Sequence, residues 1–418
     1  MLEETKKFIR SVRSGTPSVL AHDVGPARDY IEKYWKHLYR DRPDENSTLI
    51  KLPHPYLVPA SEPGKEFEFN EQYYWDSYFI VQGMMDEDHK KLVIGMLDNL
   101  VFLFKHFGII PNASRTYFMG HSQPPFLTSF IMDVYDAYDM SSAWLKEHMA
   151  VAEEEYHMVW MGIAKPNARQ VYEGLSRNYD INVLHDIAET ESGWDMTNRF
   201  GRKCLNYLPV DLNSLLYKYE TDFARTAGIL GDEDRQKEWL RAAHLRKATM
   251  DRLMWDRIQG LYRDFNYVKK RRSLVNSLAT YYPLWAGMVD GKQAKMLVGN
   301  LRRFEHRGGL STTELPPINK LAPGSMPIQW AYPNGWAPLQ YIAIRGLQRY
   351  GFDEEAERIA KKWLRTNLTW FEKHGNFLEK YNVVNPSKPP VKGVYPAQTG
   401  FGWTNAVFER FCKDFIDK

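Results

Sequence analysis

The stretch ETESGWDMTNRF, Glu189 to Phe200, sets Glu189, Glu191 and Asp195 beside Gly193, Trp194, Asn198 and Arg199. Such a cluster is either a solvated acidic turn or a set of carboxylates aimed at a ring-shaped ligand. Two further stretches echo each other. In MWDRIQGLYRDFNY and WFEKHGNFLEKYNV, a glycine is followed by one residue, an aromatic, one residue and an acid, which makes Asp264 and Glu379 counterparts. A short hairpin after a helix, at one mouth of a helical toroid, accounts for both. Other chemistries lack their residues. There is no HExxH, no Cys/His set with zinc spacing, no phosphate-binding glycine loop and no GxSxG elbow. The run Lys269 to Arg272 is too short for a nucleic-acid surface. Carboxylates beside aromatic rings remain, and that combination suits glycoside hydrolysis, where two acids act and ring faces hold the sugar.

Each residue also has a plainer reading when taken alone. Asp195 sits among helix-capping residues, Glu379 reads as a surface strand residue, and Trp75 and Trp336 read as core. Gln123 to Pro125 reads as a helix start with proline in the first turn.

The elements that must position these residues are helical. From Asp353, the residues Ala356, Ile359, Ala360, Trp363, Leu364 and Phe371 form one apolar stripe, and acids open that helix where its N-terminus favours them. Leu212 to Leu230 repeats the pattern, Gly231 ends it, and Asp232 opens another helix reaching Trp255. Further helices are expected near 24–40, 72–84, 86–107, 124–140, 143–162, 276–289, 291–304, 336–350 and 403–416. About a dozen helices without strand alternation or a fixed repeat length favour a closed toroid of helical hairpins over a solenoid. Three long aromatic-laced loops, LPHPYLVPASEPGKE, TTELPPINKLAPGSMPIQWAYPNGW and NPSKPPVKGVYPAQTGFGW, are expected at one mouth. No linker separates two cores, so residues 1–418 read as one domain, with N-terminal helices in 1–40 closing the ring.

Composition narrows the partners. A net charge of +3 argues against nucleic acid, while 13 Trp and 25 Tyr exceed what a core needs and suit a sugar cleft. Cys204 and Cys412 provide no disulfide framework. The start lacks the apolar region of a secretory signal, and no run is long enough to span a membrane. The expectation is a cytoplasmic protein, in which the sequons at Asn46, Asn112 and Asn367 carry no consequence.

Five segments, in order, resemble the trehalase family of glycoside hydrolases: EFNEQYYWDSYF from Glu68, IPNASRTYFMGHSQPPFL, ESGWDMTNRF, IQWAYPNGWAPLQ, and FLEKYNV followed by YPAQTGFGWTNAV. The resemblance spans Glu68 to Val407. It implies an all-α (α/α)6 toroid and inverting hydrolysis of a small α-glucoside, foremost α,α-trehalose to two glucoses, without metal or cofactor; the oligomeric state is left open, with a monomer favoured. It also implies Asp195 as general acid and Glu379 as general base, 184 residues apart in the chain. An inverting pair stands ~6.5–9.5 Å apart to admit water. Trp75, Asp76, Asn112, Gln123, Gly193 and Trp330 fall on sugar-contacting positions, and Trp194 and Glu191 are expected to help keep Asp195 protonated. The chain departs from the family pattern at Glu68 and His121, where arginines are expected, at Ala331, and at Val394, where a glutamate is expected. Around Leu175 and Arg177 the match is poor. Arg115, Arg177 and Arg199 are candidates for a displaced clamp. The departures leave open another α-glucoside of the glucosylglycerate or glucosylglycerol type, or a sugar-binding protein that has lost activity.

Overall fold

The computed structural model describes residues 23–41, 48–61, 68–315, 328–393 and 397–417. Val394 and the centre of the 312–336 loop lie outside them. Among the described residues the helices are α1 (Gly25–Leu38), α2 (Tyr74–Val81), α3 (Lys90–Phe107), α4 (Leu127–Ala137), α5 (Ser142–Glu155), α6 (His185–Thr190), α7 (Val210–Ile229), α8 (Glu233–Leu253), α9 (Tyr282–Trp285), α10 (Gly291–Gly299), α11 (Ala337–Arg349), α12 (Asp353–His374) and α13 (Gly402–Phe415). Strands are two or three residues long and pair only locally or in small ladders.

The helices form two concentric rings, an (α/α)6 toroid. The inner ring closes on itself: α4 packs on α7, α7 on α9, α9 on α11, α11 on α13, and α13 on α2. The step from α2 to α4 is made by Tyr78, stacked on Phe126 with centroids 4.5 Å apart. Burial follows from the position in the ring. Every residue of α2 is buried, because an inner helix meets protein on all sides, whereas the outer helix α12 buries the stripe of Ala356, Ile359, Ala360, Trp363 and Leu364. At the seam, Arg28 of α1 forks onto Glu409 of α13 at 2.9 and 2.7 Å. The other N-terminal helices expected before α1 fall outside the described residues.

Local chemistry sets the boundaries. Asp232 caps α8 by accepting from the backbone of Arg235, and Gly231 and Gly375 end their helices in the left-handed region. The helix expected over 276–289 is much shorter. A tight turn over Leu278–Tyr281 leads into α9, with Pro283 in its first turn, and Gly287, at φ +76°, ends the segment. Likewise α10 stops at Gly299 and continues only as a tight turn over Leu301–Arg303. The echo of Gly260 and Gly375 holds in part. Trp255–Asp256 pairs with Leu261–Tyr262 as the expected hairpin. Lys380–Asn382, which follows Glu379, pairs instead with Asn334–Trp336.

Candidate active site

One pocket of about 490 Å³ opens where the inner helices begin. Its wall comes from the start of α2 (Tyr73, Trp75, Asp76), from the segment before α4 (Asn112, His121, Gln123), from the last residue of α6 (Thr190) and the loop after it (Gly193, Asp195), from Trp330 before α11, and from Glu379 and the start of α13 (Phe401, Trp403). All three long loops reach it, through Pro59, Trp330 and Gln398. Every residue expected to act or to touch sugar, namely Asp195, Glu379, Trp75, Asp76, Asn112, Gln123, Gly193 and Trp330, lines this one cavity.

Backbone geometry fixes the Asp195 loop. Gly193 has φ +72°, and a Cβ there would stand 2.7 Å from Trp75 Cζ2, so only glycine lets the loop lie against the indole. Gln329 Nε2 donates to the Asp195 carbonyl at 2.6 Å, and Trp330 N donates to Met196 O at 3.1 Å. Trp330 lies flat on Trp336, with centroids 3.8 Å apart and planes 3° apart, and stacks on Trp194 at 5.7 Å. Behind Trp194, the Arg199 guanidinium sits 4.1 Å from the ring centroid and forks onto Asp211 and Asp264 through four bonds of 2.6 to 3.1 Å. Asp264, the echo of Glu379, therefore serves a buried ion cluster and is not part of the pocket wall.

Glu379 is held from both sides. Its N–H donates to Gln398 O at 2.9 Å, and its carbonyl accepts from Trp403 Nε1 at 3.2 Å. Its carboxylate pairs with Lys380 Nζ at 2.6 Å, both side chains being buried. That ammonium in turn lies 4.7 Å from the Trp336 ring centroid. Sequence reasoning gave Lys380 no role, since a lysine beside an acid on a short strand reads as solvent-facing.

The two carboxyls sit in opposite settings. Burial, reinforced by the negative charge of Glu379, pushes the Asp195 carboxyl up to about 7 against an ordinary 3.8. Asp76 is held well above the carboxylate range by burial first, then by Asp195 and Glu379. The expected help from Glu191 is not seen. Its carboxylate is committed to Arg169 and to the backbone N–H groups of Ser122 and Tyr179, and the charge acting on Asp195 is that of Glu379. Trp194, fully buried, contributes as packing behind the loop. Nor is Asp195 a helix cap: it lies in the loop between α6 and α7.

The altered positions fall as follows. Glu68 is exposed and off the wall. His121 lines the pocket, and Ala331 is buried beside Trp330. Arg115 binds Glu71 and Thr48, Arg177 binds the carbonyls of Ala168 and Leu205 and the Tyr267 hydroxyl, and Arg199 is committed as above. Leu175 is core. Among the described residues no arginine lines the pocket, no group of His, Cys, Asp and Glu is arranged to hold a metal, and no helix is long and apolar enough to cross a membrane.

Comparison with known proteins places the chain in one family. Proteins named cytosolic neutral trehalase from Beauveria bassiana and from Emericella nidulans are each 34% identical over 434 residues, covering 85% of this chain. The chain spans 57% of the length of these two relatives. The structure of neutral trehalase Nth1 from Saccharomyces cerevisiae superposes with a TM-score of 0.75 at 30% identity, covering 86% of this chain and 73% of that one. A mannosylglycerate hydrolase from Thermus thermophilus, solved with glucose, shares the fold at a TM-score of 0.64 and 20% identity, covering 91% of this chain and 99% of its own. The family described as Trehalase matches residues 19–193 and 164–415, nearly the whole length. On these matches and on the five segments that converge on one pocket, the chain belongs to the trehalase family.

Proposed function

We propose that the chain is an inverting α-glucoside hydrolase that cleaves α,α-trehalose into two glucoses. The observation that carries this reading is the opposed setting of two carboxyls in one pocket: Asp195 pushed up to about 7 by burial and by Glu379, and Glu379 ion-paired to Lys380 at 2.6 Å. Asp195 gives its proton to the glycosidic oxygen as the bond to the anomeric carbon breaks. Glu379 takes a proton from the water whose oxygen attacks that carbon from the opposite face. Trp75, Asp76, Asn112, Gln123, Gly193 and Trp330 hold the glucose whose bond is cut, by ring faces and polar edges. No metal or cofactor takes part in this scheme. The names of the two fungal relatives support a cytosolic location, and the reading treats the chain as one catalytic domain, monomeric.

A second reading is favoured by the missing arginines. A small α-glucoside of the glucosylglycerol or glucosylglycerate type needs fewer donors on its leaving group than a disaccharide. Glucose release from trehalose, glucosylglycerol and glucosylglycerate by the parent, Asp195→Asn and Glu379→Gln tests both readings. Each substitution is expected to reduce turnover by at least ~10²-fold with folding intact. Either variant staying within a few-fold of the parent removes the assigned role, and release only from a smaller glucoside favours the second reading.

A further inference from the structure

The pocket wall combines polar groups with a run of aromatic rings. Of the polar groups, Asp76, Asn112, Gln123 and Glu379 are deeply buried. Of the half-buried residues on the wall, Phe69, Tyr73, Phe118 and Ile187 present rings or an alkyl chain, and Thr190, Asp195 and Gln398 are polar. Five rings follow one another as an open collar along part of the wall. Phe401 meets Phe69 at 6.4 Å, Phe69 meets Tyr73 at 5.7 Å, Tyr73 meets Phe118 at 6.0 Å, and Phe118 meets His121 at 6.0 Å, each edge to face. Tyr117, exposed and 4.6 Å from Phe118, carries the surface outward.

His121 adds a ring to this collar and offers no donor. Thr190 donates its hydroxyl hydrogen to Ile187 O at 2.6 Å, so it accepts from His121 Nε2 at 3.0 Å. His121 Nδ1 faces Asp180 Oδ2 at 3.2 Å. Both ring nitrogens are thus engaged by the protein, at a position where the resemblance implies an arginine fork for sugar hydroxyls. Of the two other such positions, Glu68 is exposed and takes no part in the pocket wall, and Leu175 is core.

We propose that this collar is a leaving-group subsite that accepts flat or apolar alcohols, so that the chain hydrolyses α-glucosides such as benzyl and cyclohexyl α-glucoside as well as sugar-linked ones. The proposal rests on the α-glucoside hydrolysis described above and uses the same step. Asp195 protonates the glycosidic oxygen as its bond to the anomeric carbon breaks, the leaving group departs as a neutral alcohol, and water deprotonated by Glu379 supplies the new oxygen. Aromatic edges and faces bind a hydrocarbon ring through burial and dispersion without a matched set of hydroxyls, and among the described residues the wall holds no arginine fork for the hydroxyls of a second sugar.

The test compares kcat/KM for trehalose and for methyl, cyclohexyl and benzyl α-glucoside by glucose release. Benzyl alcohol, cyclohexanol and methanol are alcohols of similar acidity, so the comparison reads binding in the subsite more than leaving-group reactivity. The expected result is benzyl and cyclohexyl glucoside each at least ~10-fold above methyl glucoside, the scale of discrimination that extra apolar groups give in an apolar pocket, with benzyl equal to trehalose or better. In Phe118→Leu, and separately Phe69→Leu, the benzyl-to-methyl ratio is expected to fall by about fivefold, with near-parental thermal midpoints. Trehalose cleaved while benzyl glucoside is no better than methyl overturns the subsite and leaves the trehalose reading standing. No glucose from any of the four substrates overturns both.

Discussion

Replacing Asp195 by asparagine is expected to stabilise the protein, and the gain should grow with pH. Folding holds the Asp195 carboxyl at about 7, while in the unfolded chain it titrates at its ordinary 3.8. Between those values the folded protein keeps a proton that the unfolded chain has lost. Stability tied to this group is therefore fully present below 3.8, declines as pH rises, and is gone above about 7. Each pH unit of that window corresponds to about 1.4 kcal/mol, giving a ceiling of ~4 kcal/mol, and water entering through the pocket lowers the expected value to ~2 kcal/mol. An amide cannot ionise, so Asp195→Asn escapes this loss. The assay is urea unfolding of parent and variant at about pH 4, 5.5, 7 and 8, read as midpoint and slope. The stability gap, variant minus parent, should open by ~2 kcal/mol or more from the lowest to the highest pH. A gap that stays constant, or closes with rising pH, refutes the claim that burial and Glu379 keep this carboxyl protonated. With Asp195 as the proposed general acid, kcat/KM should fall as pH rises past the value at which Asp195 loses its proton.

Two other perturbations test the supports of the site. Gly193→Ala places a Cβ 2.7 Å from Trp75 Cζ2 at φ +72°; thermal denaturation should show a loss of ~1–3 kcal/mol, and kcat/KM should drop by ~10²-fold as the indole and the Asp195 loop separate. Arg199→Met leaves Asp211 and Asp264 buried without their shared cation, and chemical denaturation should register ~3–5 kcal/mol of destabilisation; a midpoint within experimental error of the parent would mean that the cluster relaxes or takes up protons at little cost.

The helical rings were legible because inner and outer helices carry different burial patterns over many residues. The stripe from Ala356 to Leu364 survives in the structure unchanged. The over-long reading of 276–289 came from weighing its apolar content above Pro283 and Gly287. The short helix α6 gave no signal, since six residues hold too little periodicity. Within the site, the acid and base candidates and their sugar contacts were legible as segments, and their convergence on one cavity is what folding adds. Partners drawn from distant parts of the chain were not legible. Arg199 read as a candidate sugar clamp because Asp211 and Asp264 lie 12 and 65 residues away, and Glu191 read as a helper of Asp195 because its partner, Arg169, is 22 residues upstream. The collar was hidden for the same reason: Phe69, Phe118 and Phe401 come from three segments that only the toroid brings side by side.

The stereochemistry of the first turnover tests the central claim most directly. Proton NMR of trehalose hydrolysis, recorded before the products mutarotate, distinguishes the two outcomes. If Glu379 directs water to the face opposite the leaving group, the attacked glucose appears as the β anomer and the departing glucose as the α anomer, in equal amounts. Release of α-glucose alone would mean that configuration is retained, and would contradict the assignment of Asp195 and Glu379 as the acid and base of an inverting pair.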